Sequence, residues 1–157
     1  MVNLERILKY LNNYFYSFGK RGEFEANRNV LNVKDGFYLG QYIKVCGSNF
    51  NDGVYRIVGT EDSGICLDRA LNKETFNGVI FGLKVPKNLQ ELNFKIESYI
   101  ESNSNNNFVS ESFGDYSYTR ATGQNGGLLT WQEAFREELK PYRKMYDSTR
   151  GVKIYDI

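Results

Sequence analysis

A chain of 157 residues is long enough to bury a hydrophobic core, and 20 basic against 19 acidic side chains leave a net charge of +1. That balance offers no sequence-independent attraction to nucleic-acid phosphates or to an anionic membrane. No apolar run approaches the ~20 residues that cross a bilayer, so a soluble protein made in the cytoplasm, without membrane contact, is expected.

Histidine is absent, and no GxSxG, Walker A or HExxH pattern takes its place, which disfavours catalysis. Cys46 and Cys66 lack C-x-x-C spacing; two part-buried strand thiols are the expectation, with neither metal nor cofactor. The chain carries 12 tyrosines and 11 phenylalanines. Tyrosine joins a large apolar surface to a hydroxyl that tolerates water, a combination suited to protein contacts.

In chain order, Leu4, Ile7, Leu8, Leu11 and Phe15 fall at helical spacing opposite Glu5, Arg6, Lys9 and Asn12, which predicts an amphipathic helix over 2–17, stopped near Gly19. From Gly22 to Pro86 the pattern becomes short β-branched and aromatic runs: Glu23 to Ala26, Val30 to Val33, Tyr42 to Cys46, Val54 to Val58, Gly64 to Leu67 and Val79 to Val85. Asp52-Gly53 and Glu61-Asp-Ser-Gly64 supply hairpin turns between them, so 22–86 reads as a small β domain, an antiparallel sheet or barrel of about 65 residues.

Asn88 and Glu91 then form a capping box for a helix with Leu89, Leu92, Ile96, Tyr99 and Ile100 on one face. Asn103 to Asn107 is a polar hinge. Ser110-Glu-Ser-Phe-Gly-Asp-Tyr-Ser-Tyr-Thr-Arg120 follows, and Thr122-Gly-Gln-Asn-Gly-Gly127 closes this region. The middle segment is too aromatic for a solvated linker and too polar for a core strand, which suggests an arm that orders against another chain. Its contact residues are Ser110, Glu111, Phe113, Asp115, Tyr116, Tyr118 and Arg120.

Thr130 and Glu133 form a second capping box, ahead of a helix with Trp131, Ala134, Phe135 and Leu139 on its buried face. Arg136, Lys140, Arg143, Lys144 and Arg150 gather after it, but Glu133, Glu137 and Glu138 share the helix, which favours a solvated face over a phosphate site. The tail alternates Val152, Ile154 and Asp156 with Lys153, Tyr155 and Ile157; it is either a frayed end or an edge strand for a partner's sheet.

These elements together predict an α+β protein. Its core has three principal amphipathic helices (residues 1–21 and 87–145, with the arm at 103–129). An antiparallel β domain at 22–86 is inserted between them, and a tail follows at 146–157.

An N-terminal helix, a capped middle helix, the segment SESFGDYSYT, a Gly-rich loop and a final helix running from TWQEAF to LKPYRKMY resemble the head–tail connector adaptors of tailed bacteriophages, in the form carried by phages and prophages of clostridial-type bacteria. The resemblance covers residues 2–17 and 88–146; residues 22–86 exceed the compact helical adaptor of that family.

It implies a structural virion protein of the neck, commonly a ring of twelve copies beneath the portal. Neighbouring copies and the portal protein are its partners, with a stopper or tail-terminator protein below, and DNA passes through the channel without specific binding. The arm then faces neighbours or the channel, and Val152, Ile154, Tyr155 and Ile157 of the tail grip the portal. A stopper or tail-terminator ring is the near alternative. A β domain that binds carbohydrate or single-stranded nucleic acid through Phe37, Tyr38, Tyr42, Phe50 and Tyr55 is the distant one.

Overall fold

The computed structural model of the chain describes residues 4–33, 35–105 and 129–157. The chain divides into two compact units, Met1–Asn13 with Pro86–Tyr146, and Tyr14–Val85 with Asp147–Ile157.

The second unit is a closed β-barrel. Its strands are β1 (Tyr16–Asn27), β2 (Val30–Leu31), β3 (Tyr42–Cys46), β4 (Gly53–Glu61), β5 (Gly64–Leu67) and β6 (Glu74–Leu83). The antiparallel order β2-β5-β4-β3-β6-β1 returns from β1 to β2, so six strands close on themselves. Alternation drives the closure: Ile43 and Val45 in β3, Tyr55 and Ile57 in β4, and Phe24 and Ala26 in β1 all point into one buried cluster with Leu31, Ile65, Leu67 and Ile80.

Closure is narrowest at β2, which makes only two pairings with β1 and two with β5. Neighbouring polar groups reinforce that seam. The Asn32 side chain accepts from the Glu25 amide at 2.6 Å, and the Asn29 carbonyl accepts from the Leu67 amide at 2.7 Å.

β6 pairs along nearly all of β1. The opposite edge of β1 is therefore shared: β2 takes Ala26 and Asn27, and a seventh strand, β7 (Lys153–Asp156), runs parallel to Phe18–Arg21.

The first unit holds the helices α1 (Leu4–Leu11), α2 (Lys87–Asn105), α3 (Trp131–Ala134) and α4 (Arg136–Leu139), with a 3-10 turn at Lys140–Tyr142. α1 buries Leu4, Ile7, Leu8 and Leu11, and α2 buries Leu89, Leu92 and Ile96. Asn13 donates to the Tyr142 carbonyl at 2.9 Å, and the Leu11 carbonyl accepts from the Lys144 amide at 2.8 Å. These bonds satisfy the open end of α1 with the segment that follows the 3-10 turn.

The predicted fold class, three principal amphipathic helices carrying a small inserted β domain, is thereby corrected: the architecture is mostly a closed six-stranded barrel with one further strand and few, mainly short, helices. Three physical causes account for the change. The N-terminal helix stops at Leu11, six residues before its predicted end, because Asn12 turns left-handed (φ 53°) and Phe15 does so again (φ 58°). From Tyr16 the chain is already strand.

The final helix keeps its expected cap, with the Thr130 hydroxyl accepting from the Glu133 amide at 3.3 Å, but breaks at Phe135 (φ −110°, ψ 19°) into two single turns. The tail, set apart as a separate segment by the sequence, is a strand of the barrel's own sheet. The middle helix starts at Lys87, its first amides bonded to the Pro86 carbonyl, so Asn88 lies inside the first turn.

Candidate interaction surface at the barrel edge

The tail reaches β1 through a short chain of polar contacts. Asp147 accepts a hydrogen bond from the Tyr16 hydroxyl at 3.0 Å and lies 3.7 Å from the Lys44 ammonium. Lys44 also donates to the Tyr16 oxygen at 2.9 Å and sits 3.7 Å above the Tyr14 ring. Burial, together with the Asp147 charge, pushes the Tyr16 phenol far above its ordinary range. It therefore stays protonated and serves as a fixed donor, which makes the cluster an anchor for Asp147.

Beyond Asp147 a turn at Thr149–Val152, with Gly151 at φ 82°, leads into β7. Four register pairs, Phe18 with Lys153 through Arg21 with Asp156, align the two strands. Arg21 Nε donates to Asp156 Oδ1 at 2.8 Å, and the Ile157 amide bonds the Arg21 carbonyl at 3.0 Å.

Ile157 lies over Gly22: a Cβ there would collide with the Ile157 side chain. Gly22 thus gives the tail its seat by having no side chain. Every residue of β7 is exposed, and the Arg21 and Asp156 side chains are 59% and 73% accessible, so the strand is held by backbone bonds and a screened ion pair.

The tail residues expected to make partner contacts all lie on or beside β7. Ile154, Tyr155 and Ile157 are exposed and Val152 is half-buried at the turn, all of them on the molecule's own barrel. The arm residues Ser110, Glu111, Phe113, Asp115, Tyr116, Tyr118 and Arg120 lie outside the described residues.

The β-region aromatics separate by environment. Tyr55 is buried and donates to the Asn51 carbonyl at 2.7 Å; Phe37 packs on Phe18 at 5.2 Å between centroids; Tyr42 lies near Arg56. Tyr38 and Phe50 are exposed, so they do not form one stacking platform with the others.

Phe50 caps a loop that sequence reasoning did not single out as rigid. Glu74 accepts from the Ser48 hydroxyl, from the Asn49 amide at 2.7 Å and from the Asn51 side chain at 2.9 Å. Asn51 also accepts from the Asn72 amide at 2.8 Å. Burial raises the Glu74 carboxyl, but these donors outweigh it and hold the group below its ordinary value. Ser48, Asn49 and Asn51 lie 23 to 26 positions from Glu74 in the chain, so no local pattern announced the contact.

In the helical unit, Tyr10, Arg136, Glu137, Leu139, Lys140 and Arg143 line a cleft of about 320 Å³. Arg143 stacks 4.9 Å from the Tyr10 ring centroid, and Tyr10 meets Trp131 edge-on at 5.4 Å. The basic residues of the final helix thus converge on an aromatic floor, whereas Lys144 and Arg150 do not line it.

Among the described residues no group of three or more histidine, cysteine or carboxylate side chains is arranged for a metal ion, and no helix is long and apolar enough to cross a membrane. Burial pushes both free thiols, Cys46 and Cys66, above their ordinary values. Comparison with family models, curated proteins and solved structures found no match to this chain.

Proposed function

We propose that this chain is a structural, non-enzymatic adaptor of a tailed-phage neck, a ring protein beneath the portal that joins the capsid vertex to the tail. The observation that carries the reading is β7, a terminal strand laid on the exposed edge of β1 by surface contacts alone. Such a strand is a device for joining sheets of different chains. The segments SESFGDYSYT and TWQEAF to LKPYRKMY, which resemble that adaptor family, agree with it.

In this reading the ring is the functional unit, and repetition by symmetry turns weak single contacts into a firm platform. Its partners are the portal, neighbouring copies and the next neck ring. DNA slides through the channel, and the near-zero net charge of the chain keeps it from being trapped.

Truncation after Asp147 tests the proposal. The barrel retains its six strands and its anchor at Tyr16, so the shortened chain is expected to keep its thermal transition while recruitment to the portal ring weakens at least about tenfold. A truncated chain that joins the portal as well as the full chain does would overturn the reading.

A further inference from the structure

We propose that the acceptor for β7 in the assembled state is the β1 edge of a second copy of this chain, so that each subunit gives its terminal strand to one neighbour and receives one from another. The inference rests on the ring reading above and names the partner of that same edge.

The acceptor is identified by fit. Phe18–Arg21 supplies the register, Arg21 the ion pair for Asp156, and Gly22 the vacant space that Ile157 fills. A strand of another protein has no reason to reproduce this combination, whereas an identical copy presents all of it.

The hinge is present as well. Asp147 stays tied to Tyr16 and Lys44, while the turn after it, with left-handed Gly151, connects to a strand whose residues are all exposed. The five residues Ser148 to Val152, if extended, span up to about 17 Å, enough to carry the strand away from its own edge. The boundary between the two compact units also falls at Tyr146/Asp147, so the anchor, the turn and the strand all belong to the barrel unit.

Exchange leaves the contacts unchanged and alters only which chain supplies them, which makes it a low-cost route to assembly. Because donor and acceptor are different surfaces, the contact is head-to-tail, and it closes into a ring when the rotation per subunit allows.

Disulfide trapping between chains tests the exchange. Lys20 and Tyr155 are register partners. One chain carries Lys20→Cys and a second Tyr155→Cys, each with Cys46→Ser and Cys66→Ser. Oxidising the mixture is expected to place most of the protein in a covalent dimer of the two chains. Two results overturn the proposal: no covalent dimer while a single chain carrying both replacements closes its own disulfide, or failure of that double variant to close at all.

Portal ring added to the cross-linked product examines the neck assignment separately. Multimers that ignore the portal leave the exchange standing and remove the adaptor reading.

Discussion

Gly22 is where the tail's position is most sharply determined. Its backbone is ordinary strand, and the three nearest atoms that an added Cβ would meet all belong to Ile157. Gly22→Ala is therefore expected to unseat the tail while leaving the barrel as stable as before, or more stable by up to about 0.5–1 kcal/mol through the restored strand preference. Limited proteolysis would show faster loss of the last ten residues with an unchanged or higher melting temperature. A lower melting temperature with an intact tail would contradict this account of Gly22. Tyr16 has a different part: its half-buried, protonated hydroxyl links Lys44 and Asp147, so the anchor holds even when the strand beyond it is free.

Among elements, β7 is the one whose attachment depends on charge. Its hydrogen bond to Arg21, and then the guanidinium charge, lower the Asp156 carboxyl below its ordinary value. A carboxyl lowered in the folded chain contributes stability that is complete above its unfolded value, about pH 3.9, and disappears as the pH falls below it. Amide exchange is expected to show protection at Ile154 to Ile157 lost on acidification through that window, ahead of the barrel's core. Protection unchanged throughout the carboxylate range would mean that the backbone bonds alone hold the strand.

Local chemistry explains which elements were legible in the sequence. Asp52-Gly53 marks the β3–β4 hairpin because Gly53 needs φ 156°, and the alternation of Tyr42 to Cys46 is that of a strand buried on one face. The N-terminal half of β1 was missed because Phe18-Gly-Lys-Arg21 has no such alternation; one edge of it is completed by residues that follow some 135 positions later. Asn12, second only to glycine at left-handed helix ends, was a readable stop. Nothing local in Ala134-Phe135-Arg136 marks the break after α3. The exposed tail residues of the candidate surface were legible as an edge strand, but their acceptor was not, since complementarity between Gly22 and Ile157 exists only in three dimensions.

At the scale of the whole molecule, six strands close the barrel and a seventh extends its sheet along β1. Closure removes the barrel's own edges except at β1, where β2 covers only two residues and the remainder is left to β7. An uncovered edge of this kind is a liability that proteins blunt or use. In the proposed exchange, covering this edge and joining a second copy are alternative uses of β7. The hydrogen-bonded Ser48–Asn51 loop, with Phe50 69% exposed, adds an apolar projection elsewhere on the barrel.

The central proposal, an adaptor ring on a portal, is tested most directly by native mass spectrometry of this chain mixed with a tailed-phage portal ring encoded beside it. The expected result is a discrete complex whose added mass is a whole-number multiple of 18.2 kDa. A portal ring that remains bare at saturating concentrations of this protein would contradict it.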